Sequence, residues 1–356
     1  MAQLKRMIRK RLEKGPQARS VLIETMIDDY GVGEIEVDSI IEEENQFIVY
    51  EEEDIAYVKL KAKKGKTWEG FTVLSIPKKE ENPYVPPLES YKDSKIMVGG
   101  RELETSYMEM ILWSYENKEN VLIVGPPGCG KTSLIRAICS NTNRAFRRVN
   151  LSGGTTVDDL VGRWVLVAGE TIWMDGPLTE AVKNGWWFCC DEINAAQPDV
   201  LFILRPLLDE QRSLILTDKH GEVIEPHEEF RFFGTMNPSS EGIYAGTRDL
   251  NEADLERFGI VIPMSYLPDD LEVKVVIEKS GFQNKEIAGK MVKAANMVRQ
   301  MREHSEKLSI ISTRRLIQWA KASMEYDIET AYEVTIGSKM RMEERDGIRE
   351  AIFGLF

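Results

Sequence analysis

A glycine-rich segment placed directly after an apolar run constrains the fold of this chain more than any other feature. The run VLIV, residues 121–124, precedes GPPGCGKT, residues 125–132, and an apolar helical pattern follows over residues 133–139. A buried strand, a glycine turn and a helix in this order are typical of a parallel α/β sheet. The turn allows backbone N–H groups to surround an anion, and the helix directs its positive end at the same anion. We therefore predict a phosphate-binding loop.

The residue types in this loop predict how it would hold a nucleotide with magnesium. A simple glycine turn would not explain why Lys131 and Thr132 follow at these two positions. In phosphate-binding loops the lysine reaches the β and γ phosphates, and the hydroxyl ligates Mg²⁺. The predicted ligands of the nucleotide are Gly125, Pro126, Pro127, Gly128, Cys129, Gly130, Lys131, Thr132 and Ser133.

Two adjacent acids end another apolar run, WWFCC at residues 186–190. An aspartate at the carboxyl end of a buried strand beside the loop is placed to hold magnesium, so Thr132 and Asp191 are the predicted metal residues. Glu192 can polarise a water molecule for attack on the γ phosphate. A solvated turn is the alternative for two acids alone, but their combination with the loop favours hydrolysis over transfer to a small-molecule acceptor.

Three further polar residues are candidates on local sequence alone. Asn237 ends the apolar run FRFFGTM at residues 230–236 and could orient the attacking water, although an Asn-Pro turn explains it equally well. Arg257 lies near the end of a short helical pattern before another strand, and Arg314 begins a helix of the C-terminal region. A lone arginine is usually a surface charge, so neither arginine is assigned a role by its surroundings in the sequence.

Composition shifts along the chain predict its domains. Helical and then β-rich segments over residues 1–76 indicate a small N-terminal α+β domain, and the proline- and charge-rich residues 77–95 read as a linker. Residues 96–267 alternate apolar strands with helices, whereas residues 268–356 show helical periodicity only. We expect a nucleotide-binding α/β core over the former range and a helical lid over the latter.

Charge and cysteine use restrict the environment and partners. The net charge of −13 argues against a surface that tracks a phosphate backbone, although seven Lys or Arg and one acid in the first 20 residues form a local basic patch. Six of these seven basic residues lie on a short amphipathic helix predicted over residues 2–14. The chain has no apolar run of about 18 residues, and its four cysteines lack the spacing of a zinc or disulfide framework. We expect a cytoplasmic protein without a membrane segment.

The motifs together resemble the AAA+ ATPases, and within them the MoxR group with its CbbQ, NirQ and NorQ relatives. The resemblance extends from about residue 95 to the C-terminus. Its motifs are, in chain order, GPPGCGKT, CCDEINAA, GTMNP, ADLERF and STRRL. The segments DDLVGR at 158–163 and WMDGPLTEAV at 173–182 look like the two sides of a MoxR-type insertion in the second helix. Residues 216–237 look like the hairpin that precedes the sensor strand, and they are also similar to the CobS subunit of cobaltochelatase.

The resemblance implies a fold, an assembly and residue roles. It implies a P-loop AAA+ core, with a parallel sheet between helices, and a C-terminal helical lid, assembled as a homo-oligomeric ring, usually of six subunits. Asn237 would be the first sensor, Arg314 the second, and Arg257 the finger that reaches the γ phosphate of the neighbouring subunit. Arg248 and Arg315 lie nearby and compete for the last two roles. Cys129 stands where the family more often has threonine or serine.

Three functions are compatible with this sequence. The first is a chaperone-like motor that hydrolyses ATP with Mg²⁺ to remodel or activate a partner complex, such as one with a von Willebrand A domain. The second is a CobS-like ATPase subunit of a metal chelatase. The third is a McrB-like motor acting on nucleic acid, which the basic N-terminal patch keeps open. Loops at residues 168–171 and 219–222 would either line a pore and carry motion to the client, or be ordinary hairpin turns.

Overall fold

The computed structural model describes most of the chain beyond residue 104. The described residues are 105–238, 250–303 and 308–356, with the short segments 17–18, 22–23, 47–52, 55–60, 67–72, 96–98 and 101–103. The chain forms two compact units, Met1–Thr67 and Trp68–Phe356. The predicted basic helix at residues 2–14, the linker at 77–95 and Arg248 lie outside the described residues.

The described part of the smaller unit is a three-stranded antiparallel sheet. Its strands are β1 (Gln17–Ala18), β2 (Phe47–Glu52) and β3 (Ile55–Leu60), in the order β1-β3-β2. The last two agree with predicted β segments. Gln17 and Ala18 pair with Val58 and Tyr57 of β3. Of the helical pattern predicted after Pro16, Leu22 and Ile23 are described, and both are helical and buried.

The strands and helices of the larger unit follow in chain order. The strands are β4 (Thr67–Trp68), β5 (Phe71–Thr72), β6 (Ile96–Val98), β7 (Arg101–Leu103), β8 (Val121–Val124), β9 (Phe146–Asn150), β10 (Gly162–Val167), β11 (Glu170–Asp175), β12 (Trp187–Asp191), β13 (Leu214–Leu216), β14 (Glu222–Ile224), β15 (Arg231–Met236) and β16 (Ile260–Pro263). The helices are α1 (Tyr107–Asn117), α2 (Lys131–Asn141), α3 (Val157–Val161), α4 (Pro177–Asn184), α5 (Pro198–Leu208), α6 (Glu252–Leu255), α7 (Asp269–Ser280), α8 (Lys285–Glu303), α9 (Thr313–Ala322), α10 (Ile328–Thr335) and α11 (Met342–Phe353).

The centre of the larger unit is a parallel sheet with the strand order β16-β8-β15-β12-β9. Alternate residues of its strands enter two separate apolar clusters. Trp187 and Cys189 belong to one cluster, and Phe188 and Cys190 belong to the other. Since successive side chains of a strand point to opposite faces, the sheet is covered on both faces, as parallel sheets require. The predicted parallel α/β core is confirmed.

The larger unit begins earlier along the chain than the predicted nucleotide-binding core. Trp68 and Phe71 pack into the apolar cluster that also contains Tyr107, and Phe71 is fully buried. The predicted N-terminal domain, residues 1–76, therefore extends past the end of the smaller unit, because these two aromatic residues supply apolar surface to the larger one. The predicted boundaries at residues 95 and 267 stay predictions.

Two antiparallel hairpins extend from the core. β10 and β11 form a ribbon between α3 and α4, where the family-like insertion was expected, and β13 pairs with β14 before β15. The turns of these hairpins are residues 168–169 and 217–221, so the predicted loops at 168–171 and 219–222 contain turn residues and the first residues of the returning strands. The indole Nε1 of Trp164 donates to the Asp218 carbonyl at 2.9 Å, so a side chain of the first hairpin holds the turn of the second.

The C-terminal helices α7 to α11 pack around a cluster of their own, as the periodicity predicted. Its large buried side chains include Trp319 and Tyr332, whose rings meet edge to face at 5.4 Å. Ser312 caps the N-terminus of α9, because its side chain accepts a hydrogen bond from the Arg315 backbone N–H. None of the described helices is both long and apolar enough to cross a membrane.

The buried thiols of β12 give a simple test of the sheet. Cys189 and Cys190 have no exposed surface, and burial raises the pKa of both thiols. Since the thiolate is the reactive form, we expect neither cysteine to react with a thiol reagent at pH 8 unless the protein is unfolded. Mass spectrometry after native labelling would locate modified residues, with Ser338→Cys as an exposed control. Rapid native modification of Cys189 or Cys190 would contradict the sheet assignment.

Candidate nucleotide-binding site

The carboxyl ends of the parallel strands bring the candidate residues together. The register pairs Val124 of β8 with Met236 of β15, and Asp191 of β12 with Asn150 of β9. The residues that follow β8, β12 and β15 therefore emerge at one edge of the sheet. This edge is where ligands of open α/β sheets bind.

The loop after β8 has the backbone that its glycines predict. Gly128 and Gly130 adopt φ values of 74° and 109°, which side chains rarely tolerate. A Cβ at Gly125 would lie 2.2 Å from the Met264 carbonyl oxygen, so only glycine fits there. Gly130 precedes α2 and provides no side-chain cap to it within the described structure. The first N–H groups of a helix have no partner within the helix, so the N-terminus of α2 is suited to an anion.

Lys131 is the first residue of α2, and its ammonium group turns back over the loop. Nζ donates to the carbonyls of Gly125 at 2.6 Å and Pro126 at 3.0 Å, and to Asn237 Oδ1 at 3.0 Å. Burial lowers the pKa of Lys131, while Cys129 and the carboxylates of Asp191 and Glu192 act in the opposite direction. Lys131 at the start of α2 and Asn237 directly after β15, both predicted site residues, are therefore in direct contact.

At the end of β12, the Asp191 carboxylate contacts two hydroxyl groups and one guanidinium group. Thr132 Oγ1 lies 3.0 Å and 3.2 Å from its two carboxylate oxygens. The Thr235 hydroxyl also donates to this carboxylate, and the Arg148 guanidinium forms an ion pair with it. Asp191 is only 6% exposed. A buried carboxylate is unfavourable unless it is hydrogen-bonded or paired, and these partners meet that requirement. Thr132 and Asp191, the predicted metal residues, lie together.

Glu192 has a different setting from its neighbour. Its backbone adopts the left-handed conformation, with φ 56° and ψ 46°, and its N–H donates to the Thr235 hydroxyl at 3.4 Å. The side chain is exposed and lines the same cavity as Lys131. A left-handed non-glycine residue is uncommon, and such strain concentrates at functional sites.

The lid closes one side of a cavity of about 370 Å³ over the loop. Arg314 of α9 is exposed to this cavity, whereas the Arg315 guanidinium donates to the Ile310 carbonyl at 3.0 Å and does not line it. Contact between loop and lid is close, because a Cβ at Gly128 would lie 3.0 Å from Ser312 Cβ. The cavity is lined by Pro127, Gly128, Cys129, Gly130, Lys131, Thr132, Ser133, Arg136, Arg148, Asp191, Glu192, Thr235, Met236, Asn237, Leu267, Val275, Lys279, Thr313, Arg314 and Ile317.

Arg257 is not part of this cavity. It follows α6, and its Nε lies 2.7 Å from Asp209 Oδ1 in an ion pair. Its Nη1 donates to the Ala253 carbonyl. The structure therefore does not bring Arg257 to the loop of its own chain.

Comparison with known proteins agrees with this geometry. Residues 120–258 match the AAA domain of the dynein-related subfamily, and residues 272–352 match the CbbQ/NirQ/NorQ C-terminal domain. The chain is 33% identical to the aerobic cobaltochelatase subunit CobS of Sinorhizobium sp over 67% of this chain and 76% of that protein. It is 30% identical to NorQ of Paracoccus denitrificans, over 66% of this chain and 86% of that protein. It is 32% identical to CbbQ of Hydrogenophilus thermoluteolus, over 57% of this chain and 74% of that protein.

The chain is a MoxR-like AAA+ ATPase. The first match, residues 120–258, contains the strands β8, β9, β12 and β15 of the parallel sheet, and the second, residues 272–352, contains most of the lid helices α7 to α11. The family consists of P-loop ATPases, so the resemblance drawn from the motifs is confirmed. Neither domain match includes the residues before 120 of this AAA+ protein.

The AAA+ site contains basic residues that the sequence did not single out. Arg136, Arg148 and Lys279 line the cavity together with Lys131 and Arg314, whereas Asp191 and Glu192 are its acidic members. Burial lowers the pKa of Lys279, and the nearby guanidinium groups of Arg314 and Arg136 lower it further. The excess of positive charge among the described lining residues fits a polyphosphate.

One missed residue of the AAA+ site had a signal in the sequence. Thr235 precedes Asn237 by two residues, and alternate residues of a strand share a face. Arg148 and Lys279 had no such signal in the sequence. The position of Arg148 depends on the order of the strands, and that of Lys279 depends on how the lid packs.

Proposed function

We propose that this protein hydrolyses ATP, with magnesium, in the cavity between the phosphate loop and the lid. One observation carries the proposal. A half-buried lysine, a hydroxyl bonded to a carboxylate, a second carboxylate and a lid arginine line the same cavity at the carboxyl edge of a parallel sheet. Each is a residue type that phosphoryl transfer to water requires.

The residues at the end of β12 fit a magnesium ion. Mg²⁺ prefers oxygen ligands and usually keeps waters and substrate phosphates in its shell, so one or two protein ligands suffice. Thr132 Oγ1 and the Asp191 carboxylate lie within 3.2 Å of each other and would hold it. Bound there, the ion would neutralise phosphate charge as a Lewis acid.

The remaining residues have distinct proposed roles in the same reaction. The Lys131 ammonium would exchange the loop carbonyls for the β and γ phosphate oxygens, since both are oxygen acceptors. Glu192, exposed to the cavity, would accept the proton of the attacking water, and Asn237 would orient that water beside Lys131. Arg314 would balance charge from the lid side.

We further propose that the site is completed between subunits. Arg257 lies outside the cavity of its own chain and would act as a finger on a neighbour, in a ring that we take to have six copies. Hydrolysis would then change the angle between core and lid, since Lys131 and Arg314 would bind the same phosphates. The joined hairpin loops at 168–171 and 219–222 would carry this motion to a client complex in the cytoplasm, such as one with a von Willebrand A domain.

A second candidate is an ATPase subunit of a metal chelatase. It is favoured by the 33% identity to the cobaltochelatase subunit CobS, of which the match covers 76%. Copurification separates the two candidates, because a von Willebrand A protein would support the first and a large chelatase subunit the second.

Lys131→Ala tests the nucleotide site. The variant should bind ATP with Mg²⁺ about tenfold to a hundredfold more weakly than the unchanged protein, because it loses charge-assisted hydrogen bonds to phosphate. Titration calorimetry measures this affinity, and phosphate release at several protein concentrations measures turnover. Lys321→Ala, on an exposed face of α9, is the matched control and should retain both. If the unchanged protein does not bind ATP with Mg²⁺ at any protein concentration, the proposal fails.

A further inference from the structure

A buried ion pair joins two helices of the lid close to the phosphate loop. Arg299 of α8 contacts Glu272 of α7 through two bonds, with Nη1 2.7 Å from Oε2 and Nη2 2.8 Å from Oε1. The Glu272 side chain is fully buried, and that of Arg299 is 9% exposed. Burying two charges is unfavourable unless their remaining hydrogen-bonding groups are also satisfied. The other partners of this pair are therefore informative.

Each member of the pair also binds the segment that carries Arg314. Glu272 Oε1 accepts a hydrogen bond from the Thr313 hydroxyl at 2.5 Å, and Arg299 Nε donates to the Ile311 carbonyl at 2.9 Å. These two residues lie on either side of Ser312, the cap of α9, and Arg314 follows directly. The ion pair thus holds the first turn of α9 from two directions.

The same arginine is linked to the phosphate loop. Its guanidinium carbon lies 3.6 Å from the ring centre of Tyr266, within the range of a cation–π contact. The Tyr266 hydroxyl donates to the Pro127 carbonyl at 2.9 Å. A chain of contacts therefore runs from the loop through Tyr266, Arg299 and Glu272 to Thr313.

We propose that this chain of contacts positions Arg314 relative to the phosphate loop. Tyr266, Arg299 and Glu272 do not line the cavity and are positioning residues. Thr313 does line it, but its hydroxyl donates to Glu272, so it acts as a positioning residue through Arg314. A displacement of the loop at Pro127 is transmitted to the first turn of α9, since every link is a packed or hydrogen-bonded contact. This inference rests on the proposed ATP site and states how the lid senses its occupancy.

Thr313→Val tests the link closest to Arg314. The substitution removes one hydroxyl, keeps the side-chain shape and leaves Glu272 paired with Arg299. We expect the affinity for ATP with Mg²⁺ to fall about threefold to tenfold, since a hydrogen bond to a charged group is lost. Thr335→Val in α10 is the matched control. It removes a hydroxyl that donates to the Ala331 carbonyl at 2.6 Å, away from the chain of contacts, and should leave the affinity unchanged.

A double-mutant cycle distinguishes positioning from general damage to the lid. In an Arg314→Ala background, Thr313→Val should weaken ATP binding no further, because its effect acts through Arg314. Tyr266→Phe, which keeps the ring over Arg299 and removes the hydroxyl that donates to Pro127, should show the same dependence on Arg314. If the thermal midpoint shows that Thr313→Val does not fold, Tyr266→Phe replaces it in the cycle.

The outcomes separate this inference from the function on which it rests. Losses that add fully to that of Arg314→Ala, or no loss in either variant of a protein that binds ATP, would overturn the inference alone. Failure of the unchanged protein to bind ATP would overturn the proposed function and this inference with it.

Discussion

Arg257→Ala should reduce ATP turnover by about 10³-fold or more while leaving ATP affinity nearly unchanged, because an arginine finger acts on transition-state charge. The structure supplies the reason to expect action on another subunit. Arg257 pairs with Asp209 and does not line the cavity of its own chain. The decisive measurement is phosphate release from a mixture of Arg257→Ala with Lys131→Ala subunits. Arg257→Ala subunits keep Lys131, and Lys131→Ala subunits keep Arg257. A mixed assembly therefore contains some sites that have both residues.

The mixture has a quantitative expectation. With equal amounts and random assembly, about one site in four combines an intact loop with a neighbour's arginine, if each site takes its arginine from one neighbour. Arg349→Ala in α11 is the control, since that arginine also forms ion pairs, with Glu329 and Glu333, but lies far along the lid. A mixture no more active than its separate components would argue against action between subunits. Full activity of Arg257→Ala alone would exclude the finger role.

Glu192→Gln should bind ATP with Mg²⁺ as the unchanged protein does and turn it over about 10² to 10⁴ times more slowly, since removal of a general base has effects of that size. The amide keeps the length and hydrogen-bonding shape of the side chain. Rapid-quench measurement of a single turnover, beside an equilibrium titration, separates chemistry from binding.

The control for Glu192→Gln is Glu286→Gln on an exposed face of α8, which should retain normal turnover. Normal single-turnover rates in Glu192→Gln itself would remove Glu192 from the role of base. Loss of ATP affinity would point instead to a binding role.

The sequence predicted the loop and the sheet because their signals are local. Glycines at 125, 128 and 130 have to follow a buried strand, and the acids at 191 and 192 have to end one, for a phosphate site to form. The helical lid followed from periodicity alone. Family resemblance added Asn237 and Arg314, which the structure places in the same cavity as Lys131.

The sequence did not predict contacts that depend on strand order or on packing between distant segments. Arg148 meets Asp191 because β9 lies beside β12, a neighbour relation that the strands do not encode individually. The contact of Arg299 with Tyr266 requires α8 to pack over the segment that follows β16.

At position 192 the residue type that the backbone conformation favours differs from the one that the proposed hydrolysis needs. Glu192 adopts a left-handed backbone that glycine or asparagine would occupy at less conformational cost. Random variants selected only for heat resistance should therefore tend to lose Glu192, and retention of glutamate at this position among related chains would support its proposed role in hydrolysis. Substitutions that raise the thermal stability of this protein should therefore spare Glu192, despite the conformational cost of its left-handed backbone.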